Sequence, residues 1–356
     1  MNIGFDAKRY FHNKSGLGNY SRDLVDSLIH NFPNDQFFLF DKSTQEQSNS
    51  NRHIVSHSKK SPLWREHGII KDIKQLDINV YHGLSNELPF GKWPQNIKRV
   101  VTIHDVIFKT HPEKYSYIDR NIYDIKTKHA LQYADSIIAT SEFTLKQMTD
   151  FYMFDKNKVK IVYQTCADQF WTKQTQNNLD NFKIKYQLTK PFLLYVSSFN
   201  QRKNHKFLIQ AFKKLNRNDI QLVLVGQKGD AYIETIKLVK QLDLSEKVLI
   251  FPNFNQLELP LLYQSAQAFV YPSLTEGFGI PLLEAMVSGL PILATDLMVF
   301  REIASTEVHF FELDNESDLI NKLNLLLEQT TIDYSKHILK FNKNEIANQV
   351  MKIYKS

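Results

Sequence analysis

Residues 266–296 read AQAFVYPSLTEGFGIPLLEAMVSGLPILATD, and the prediction of the fold starts from them. The apolar run Ala268–Tyr271 predicts a strand, which ends at a proline and enters a loop containing Glu276 and two glycines. Pro281 suits the first turn of a helix, because its fixed φ fits there and its missing N–H is not needed. Gly289 ends that helix before another apolar run. The stretch therefore predicts a β-loop-α-β unit whose helix start attracts anions, above all phosphate.

The same alternation of strands and helices extends over the whole chain. Apolar runs predict strands at Asn2–Asp6, Gln36–Phe40, Val80–His82, Arg99–Ile103, Ser136–Thr140, Val159–Val162, Phe192–Val196, Gln221–Val225, Val248–Phe251, Ala268–Tyr271, Pro291–Ala294 and His309–Phe311. Helical spacing predicts helices at Tyr20–Phe32, Pro62–Leu76, Ser116–Tyr133, Ser141–Tyr152, Leu179–Tyr186, Glu316–Glu328 and Ile332–Lys355. Strands that alternate with helices predict parallel sheets covered on both faces.

A length of 356 residues favours two such domains. We predict an N-terminal domain at 1–168 and a C-terminal domain at 169–335. A closing helix at 336–356 is expected to pack back towards the N-terminal domain. Within the N-terminal domain, the polar stretch from Asp41 to Ser61 is expected to be a mobile surface loop, and Asn13–Asn19 a glycine-containing loop.

Composition narrows the class and the compartment. The chain is 42% hydrophobic, and its single cysteine, Cys166, suits a reducing compartment and a packed side chain. We find no signal region and no apolar run of membrane-spanning length, so a cytoplasmic protein is expected. The net charge is +6, and a basic N-terminal half would favour an anionic acceptor or peripheral contact with the inner face of a membrane. Scattered solvated lysines are the alternative, and no aromatic-interleaved basic stretch favours nucleic acid.

Several motifs occur together in this chain. The pair Glu276-x7-Glu284 belongs to one stretch that also contains Pro-Ser, Gly-Phe-Gly-x-Pro and Ser-Gly-Leu-Pro. This stretch is preceded in the chain by Gly16-Leu-Gly18, His104-Asp105, Thr140–Phe143 and Arg202-Lys203-Asn204. In this order the motifs strongly resemble those of retaining glycosyltransferases of family 4, over almost the whole chain. The resemblance implies the α/β GT-B fold, in which two Rossmann-like, doubly wound domains face each other across a cleft. It also implies a nucleotide-diphosphate sugar as the donor.

The resemblance assigns the cations and the first carboxylate to catalysis. Lys203 and Arg202 are expected to neutralise charge that develops on the leaving diphosphate. The ammonium of Lys203 supplies a mobile point charge, and the planar guanidinium of Arg202 can donate two parallel hydrogen bonds. The alternative is a solvated pair of cations at a helix start. Glu276 is expected near the hydroxyls of the donor sugar or at the reacting centre. A retaining transfer by front-face attack needs no covalent nucleophile, and the leaving phosphate helps to deprotonate the acceptor.

Other residues are assigned to the donor. Glu284 is expected to accept hydrogen bonds from the ribose hydroxyls, and the backbone amides of Phe278, Gly279 and Ile280 to touch sugar and phosphate. Ser198 stands where the family often has Arg or Thr after a glycine, so we expect a phosphate pocket of a different shape.

The N-terminal half supplies a second group. His104 ends a strand at the ligand-binding edge of its sheet, and its carbonyl or imidazole is expected to bond a sugar hydroxyl. A structural histidine is the alternative. Gly16 and Gly18 are expected to let backbone amides approach the donor phosphates or the acceptor, with a plain turn as the alternative.

Competing functions share parts of this pattern. Two carboxylates also occur in glycoside hydrolases, but here cations suited to phosphate stand beside them. A nucleotide-sugar epimerase or phosphorylase of the same fold lacks this Glu-x7-Glu loop. A catalytically weak sugar-nucleotide-binding or scaffold protein would have lost the central motif residues, which are present. Neither first strand is followed by Gly-x-Gly-x-x-Gly, which disfavours a dehydrogenase. No Asp-x-Asp motif occurs, so no metal and no cofactor are expected.

Overall fold

A computed structural model describes residues 1–13, 16–42, 50–56 and 63–356. The chain forms two compact units. The first comprises Met1–Cys166 together with Phe341–Ser356, and the second comprises Ala167–Lys340. The sequence placed the corresponding boundaries at 168/169 and 335/336.

The first unit is built on a seven-stranded parallel sheet. Its strands are β1 (Asn2–Asp6), β2 (Gln36–Asp41), β3 (Arg52–Ser56), β4 (Val80–Gly83), β5 (Lys98–Ile103), β6 (Ser136–Ala139) and β7 (Val159–Ile161). They lie in the order β3-β2-β1-β4-β5-β6-β7. The order reverses between β1 and β4, which is the mark of a doubly wound sheet. The inner strands are apolar on both faces because helices cover both faces.

Between its strands this unit has the helices α1 (Lys8–His12), α2 (Gly16–Asn31), α3 (Ile69–Gln75), α4 (Ile107–Thr110), α5 (Tyr117–Tyr133) and α6 (Glu142–Phe151). A π-helical turn, Trp64–Gly68, leads directly into α3. Side-chain caps fix the starts of two of them. The hydroxyl of Ser116 accepts from the amide of Asp119, and that of Ser141 accepts from the amide of Thr144. Each cap satisfies one of the amides that a helix start leaves without a partner in the helix. The predicted cap at Ser141 is confirmed.

The second unit repeats the plan with six parallel strands. They are β8 (Phe192–Val196), β9 (Gln221–Gly226), β10 (Val248–Pro252), β11 (Ala268–Tyr271), β12 (Ile292–Thr295) and β13 (His309–Phe311), in the order β10-β9-β8-β11-β12-β13. Its helices are α7 (Gln176–Lys185), α8 (His205–Leu215), α9 (Tyr232–Gln241), α10 (Leu259–Ser265), α11 (Ile280–Val287), α12 (Met298–Ile303), α13 (Glu316–Leu327) and α14 (Ser335–Ile338). The expected α/β class with two doubly wound sheets is confirmed.

The last helix, α15 (Lys343–Lys355), belongs to the first unit and packs along α2. Its inner face is part of the same buried cluster as β1 and α2, through Ile346, Ala347, Val350, Met351, Ile353 and Tyr354. The Lys98 ammonium donates to the backbone carbonyl of Ser356 at 2.7 Å. Such burial and bonding make α15 part of the core of the first unit.

A buried chain of hydrogen bonds connects α15 to the sheet and to α2. The hydroxyl of Tyr354 lies 2.7 Å from Nδ1 of His82, whose Nε2 lies 2.8 Å from the hydroxyl of Thr102. That hydroxyl in turn lies 2.9 Å from the hydroxyl of Tyr20 on α2. Burial lowers the pKa of His82 to about 3, so its ring is neutral at physiological pH. Paired polar groups of this kind fix one arrangement of the core.

Three expectations from the sequence are wrong. The stretch predicted to be a mobile loop contains the strand β3, and the predicted loop Asn13–Asn19 ends at Gly16, where α2 begins. The predicted helix Ile332–Lys355 is divided, since α14 ends at Ile338 and α15 begins only at Lys343. The remaining parts of both loops, 14–15, 43–49 and 57–61, lie outside the described residues, as does Pro62, where a helix was predicted to begin. Within the described ranges no helix has the length and apolar character needed to cross a membrane.

Candidate active site

The candidate site of the second unit lies where its strand order reverses. β8 and β11 are parallel neighbours in the sheet, although β9 and β10 separate them in the chain. Loops therefore leave the carboxyl ends of these two strands in opposite directions and open a crevice, which is where open α/β sheets bind ligands. The loop after β8 carries Arg202 and Lys203, and the loop after β11 carries Glu276.

Glu276 is buried and receives hydrogen bonds on both carboxylate oxygens. Its Oε1 accepts from the hydroxyl of Ser273 at 2.8 Å, from that of Tyr271 at 3.0 Å, and from the Lys203 ammonium. Its Oε2 accepts from the Arg202 guanidinium at 3.2 Å. The structure thus brings Glu276, Lys203 and Arg202, which the resemblance assigned to catalysis, into direct contact.

The charges of this cluster keep Glu276 ionised. Burial by itself would raise the pKa of the carboxyl group, but the charges of Lys203 and Arg202 outweigh that effect and lower the pKa to about 2. A carboxylate with so low a pKa holds no proton at neutral pH and cannot act as a general acid. This excludes, for Glu276, the acid role that a glycoside hydrolase needs.

Hydrogen bonds to backbone carbonyls hold the two loops together around these side chains. A short 3₁₀ turn, Gln201–Lys203, carries both cations, and the hydroxyl of Tyr195 donates to the Lys203 carbonyl at 2.6 Å. The amide of Leu274 donates to the Arg202 carbonyl at 2.9 Å, and the Arg202 guanidinium donates to the Thr275 carbonyl at 3.2 Å. The cations are therefore held in position by the fold, as a preorganised electrostatic site requires.

Glu284 occupies a different electrostatic environment. It lies on α11, is buried, and accepts a 2.7 Å hydrogen bond from the hydroxyl of Tyr263 on α10. Burial raises its pKa to about 7, with the Tyr263 bond acting in the opposite direction. The two glutamates of the motif thus differ by several pH units in acidity, because cations face one and apolar surroundings enclose the other.

The glycine at the start of α11 is required by the backbone. Gly279 has φ +102°, and a Cβ added there would lie 2.8 Å from the ring of Phe300. No other residue fits both conditions without strain. Ile280 then begins α11 with Pro281 in its first turn, as predicted, and Phe278 is buried beside it. The roles of the amides of residues 278–280 in donor binding stay a prediction.

Ser198 lies in the same loop as the cations. Its hydroxyl accepts a 3.0 Å hydrogen bond from the side-chain amide of Asn200, within that loop. Gly226, at the end of β9, packs against the backbone of this loop, and a Cβ added there would lie 1.7 Å from the Ser197 carbonyl oxygen. The loop after β8 is thus closely supported, and the part of Ser198 in a phosphate pocket stays a prediction.

His104 lies in the first unit, directly after β5, and is buried. Its Nε2 lies 2.8 Å from the Leu84 carbonyl, which can only accept, so Nε2 carries the proton. Its own carbonyl oxygen accepts two hydroxyl hydrogen bonds of 3.1 Å, from Thr140 and Thr144. Of the two groups proposed to bond a sugar hydroxyl, the carbonyl is already used within the unit.

The imidazole of His104 is the group that remains for a ligand. Burial lowers its pKa to about 4, against the opposing effect of the Leu84 bond, so the ring is neutral and Nδ1 is an acceptor. The ring of Tyr20 packs edge-on against it, with ring centroids 4.5 Å apart. The neighbouring Asp105 accepts from the amide of Ile107 at 3.1 Å, as a loop-capping residue does.

Gly16 and Gly18 lie in the first turn of α2, which corrects their assignment to a loop. At Gly18 an added Cβ would lie 1.8 Å from the Asn13 carbonyl oxygen, so this glycine serves close backbone packing. At Gly16 no atom of the described residues lies within 4 Å of an added Cβ. Of the two glycines, Gly16 is the one with room for a ligand.

The structure also adds residues that the motifs did not identify. Tyr271 and Ser273 flank the proline before Glu276, so their nearness in sequence could have suggested them. Tyr195 lies in β8, only eight residues before Lys203. Tyr263 lies 21 residues before Glu284, and no sequence signal connects the two. Among the described residues, no group of three or more His, Cys, Asp or Glu side chains is arranged to hold a metal ion.

Two family models match consecutive parts of the chain. Residues 30–165 match "Glycosyltransferase Family 4", and residues 176–345 match "Glycosyl transferases group 1". The chain belongs to glycosyltransferase family 4. As a member, it is a glycosyltransferase with the GT-B fold, and the resemblance stated from the motifs is confirmed in these respects.

Two curated relatives illustrate the family. O-antigen chain mannosyltransferase B of Escherichia coli is 27% identical over 332 residues, which cover 85% of this chain and 84% of that protein. The second is the N-acetylgalactosamine-N,N'-diacetylbacillosaminyl-diphospho-undecaprenol 4-alpha-N-acetylgalactosaminyltransferase of Campylobacter jejuni. It is 28% identical over 229 residues, which cover 62% of this chain and 60% of that protein.

Solved structures share the fold over the full chain. Sucrose-phosphate synthase of Thermosynechococcus elongatus superposes with a TM-score of 0.80 at 17% identity, covering 100% of this chain and 98% of that one. Anabaena HepE in complex with UDP and glucose superposes with a TM-score of 0.76 at 16% identity, covering 100% and 99%. At these identities the likeness establishes the GT-B fold.

Proposed function

We propose that this protein is a retaining hexosyltransferase. It moves a hexose from a nucleotide-diphosphate sugar to a glycan or lipid-linked acceptor in the synthesis of a surface polysaccharide. The observation that carries the proposal is the ionised Glu276 held between Lys203 and Arg202 at the point where the strand order reverses. The relatives support the acceptor class, since one is named for O-antigen chains and one for a diphospho-undecaprenol-linked glycan.

The two cations would stabilise the leaving group. When the bond between the sugar and the diphosphate breaks, negative charge grows on the β-phosphate. Lys203 and Arg202 are held beside the crevice by the fold, so they supply positive charge without reorganising at the moment of reaction. Two fixed cations can carry this task, and we propose that neither a metal ion nor an organic cofactor takes part.

Glu276 would act on the sugar as a fixed negative charge. Four donors hold its carboxylate and its pKa is about 2, so it is a weak nucleophile. Its charge favours the oxocarbenium-like state that forms as the donor bond breaks. The acceptor hydroxyl would then attack from the face that the diphosphate leaves, and the departing phosphate oxygen would take its proton. Retention of the anomeric configuration follows from attack on that face.

Three further groups would bind the donor. Glu284 accepts from the ribose hydroxyls, the amides at the start of α11 contact the sugar and phosphate, and Nδ1 of His104 accepts from a sugar hydroxyl. Because His104 is neutral, it adds no positive charge beside the developing cation on the sugar.

A ligand screen followed by a product analysis tests the function. Thermal unfolding is measured with UDP-, GDP- and ADP-sugars, because a ligand at 100 times its dissociation constant adds about 2.7 kcal/mol of stability. Lys203→Ala should abolish the shift given by the active donor. Lys214→Ala, which removes a lysine paired with Glu316 on the exposed side of α8, should keep it.

The donor identified in this way is then incubated with the enzyme, and the anomeric configuration of the transferred sugar is read by NMR. Inversion at the anomeric carbon would refute the retaining mechanism. An absence of any shift with every nucleotide sugar in the screen would refute the proposed donor class.

A further inference from the structure

The loop that follows β4, residues 84–88, lies against the segment that follows β5. The two strands are parallel neighbours, so their carboxyl ends lie at the same edge of the first sheet. His104 comes directly after β5, and its Nε2 lies 2.8 Å from the carbonyl of Leu84, which comes directly after β4. This bond fixes which ring nitrogen of His104 carries the proton. The bond therefore depends on the relative position of the two loops, which we call the β4 loop and the β5 loop.

Asn86 joins the two loops through three hydrogen bonds. Its side-chain oxygen accepts from the amide of His104 at 2.9 Å, and its side-chain nitrogen donates to the Asp105 carbonyl at 2.8 Å. Its own backbone amide donates to the Thr102 carbonyl at 2.9 Å. One residue of the β4 loop thus bonds the backbone of three residues in and after β5. These bonds keep the Leu84 carbonyl, two residues earlier in the same loop, within reach of the His104 ring.

Asn86 has a backbone conformation that few residues accept. Its φ of +55° lies in the left-handed region, which glycine adopts freely and asparagine tolerates better than most other residues. Glycine would therefore meet the backbone requirement at least as well. Asparagine adds an amide that can accept and donate at the same time, and the structure uses both functions. The side chain, more than the turn, accounts for asparagine at this position.

Ion pairs hold the next residue of the β4 loop. The carboxylate of Glu87 accepts from the Arg65 guanidinium and, at 2.8 Å, from the Lys126 ammonium. Arg65 also pairs with Asp6 at the end of β1, at 2.5 Å. Burial by itself would raise the pKa of Glu87, but the charges of Arg65 and Lys126 lower it, so the carboxylate stays ionised. The β4 loop is therefore fixed both to β5 and to the π-helical turn that carries Arg65.

A loss of these contacts would act on the tautomer of His104. The ring is neutral, because burial lowers its pKa to about 4. A neutral imidazole carries one proton, and the nitrogen that has an acceptor is the one that keeps it. Without the Leu84 carbonyl in place, the proton would be shared between the two nitrogens. A protonated Nδ1 cannot accept a hydrogen bond from a ligand.

We propose that Asn86 is a positioning residue for His104. It holds the Leu84 carbonyl beside Nε2, which keeps the proton on Nε2 and leaves Nδ1 as an acceptor. The proposal rests on the proposed function, in which Nδ1 accepts from a hydroxyl of the donor sugar. Asn86 does not touch the sugar in this scheme, and its effect on donor binding passes through His104.

The tautomer of His104 tests the proposal without any donor. Long-range ¹⁵N–¹H spectra of the full chain, labelled in its histidines, distinguish a protonated Nε2 from a protonated Nδ1 at pH 7. A His104→Ala spectrum identifies the signals of this ring among the 12 histidines. The wild type should carry the proton on Nε2 alone. Asn86→Gly keeps the backbone conformation, removes both side-chain bonds and should give a mixture of the two tautomers.

A double-mutant cycle then tests the route through His104. The dissociation constant of the active nucleotide sugar is measured for the wild type, Asn86→Gly, His104→Ala and the double variant. Asn86→Gly should bind about fivefold more weakly, which corresponds to one hydrogen bond of average strength. In the His104→Ala background the same substitution should change binding by less than about twofold, because the group that it positions is absent.

The matched control is Asn216→Gly. Asn216 also has a left-handed backbone, with φ +50°, but it is exposed at the end of α8 in the second unit. The substitution there should change neither the tautomer of His104 nor the dissociation constant. Asn86→Asp is a second test variant, since it keeps the size of the side chain and the acceptor for the His104 amide but loses the bond donated to Asp105. It should also give mixed tautomers, and it decides the proposal if circular dichroism shows that Asn86→Gly does not fold.

Several results would overturn the proposal. The wild type could carry the proton on Nδ1 of His104, or both Asn86 variants could keep the wild-type tautomer. Asn86→Gly could weaken donor binding equally with and without His104, or Asn216→Gly could weaken it as much as Asn86→Gly does. The tautomer is measured without a donor, so a failure of the proposed donor class, seen as no binding by any nucleotide sugar, is told apart from a failure of this proposal.

Discussion

The pKa of Glu284 predicts how donor binding depends on pH. With a pKa of about 7, this carboxyl group is about half protonated at neutral pH in the absence of a donor. If it accepts hydrogen bonds from the ribose, the donor binds the ionised form. The affinity must then rise with pH through 7 and level off above it, and binding at lower pH must release a proton.

The size of the effect follows from the ionised fraction. At pH 6 about a tenth of the molecules carry an ionised Glu284, whereas at pH 8 about nine tenths do. The dissociation constant should therefore be about tenfold higher at pH 6 than at pH 8, or about 1.4 kcal/mol. The buried histidines do not contribute, since the pKa values of His82, His104 and His205 are lowered to about 3 or 4.

Isothermal titration calorimetry with a nucleotide sugar measures both quantities. A nucleotide sugar is the right ligand because its diphosphate is esterified at both ends and holds no proton that titrates near pH 7. Titrations at pH 6 in two buffers of different ionisation enthalpy give the number of protons released, which should be close to one. Glu284→Gln should remove the pH dependence, and it should bind at least about tenfold more weakly at pH 8, because a charged acceptor is lost. A dissociation constant that does not change between pH 6 and pH 8 in the wild type would refute the assignment of Glu284 to the ribose.

Three further predictions concern single side chains. Glu276→Ala leaves the Lys203 ammonium buried without its carboxylate and should lower the free energy of unfolding by about 3–5 kcal/mol. Glu276→Gln keeps a hydrogen-bonding group, so it should lose less stability than Glu276→Ala. Its transferase activity should fall at least as far as that of Lys203→Ala. Equal losses of unfolding free energy for the two Glu276 variants in urea titrations would contradict the hydrogen-bond network. Gly279→Ala should lower the unfolding free energy by more than about 1 kcal/mol and weaken donor binding, because φ +102° and the Phe300 ring both oppose a Cβ. An unchanged midpoint of chemical denaturation in this variant would contradict the expected loss of stability. Tyr354→Phe leaves the buried Nδ1 of His82 without its partner and should cost about 1–3 kcal/mol in the same assay, whereas Tyr123→Phe on the exposed side of α5 should cost nothing measurable.

The inner strands could be predicted because each is buried on both faces. β8 and β11, for example, start and end where their apolar runs do, since nothing else in the sequence competes with such a run. β3 escaped prediction because it is an edge strand with Arg52 and His53 in it, and polar residues flank it in the chain. Its pairing with β2 is a tertiary contact that no local sequence pattern predicts.

The candidate site was predictable to the extent that it consists of local motifs. The loop after β11 and the pair Arg202-Lys203 could each be identified from its own motif. They meet in the structure because they follow two neighbouring parallel strands, whose carboxyl ends lie at the same edge of the sheet. The opposite acidities of Glu276 and Glu284 could not be predicted, because they depend on which side chains burial brings near each carboxylate. Tyr263 is one of these, and it comes from a separate helix.

The discontinuity of the first unit has a consequence for synthesis on the ribosome. β1 and α2 are translated well before α15, the helix that packs along α2, because the whole of Ala167–Lys340 lies between them in the chain. Until α15 emerges, Leu24 and Leu28 lack the helix that packs against them, so the first unit cannot complete its core while Ala167–Lys340 is being translated. We expect the first unit to become protease-resistant only after Ala167–Lys340 and α15 have been translated. A nascent chain that stops before α15 should be the form that chaperones hold.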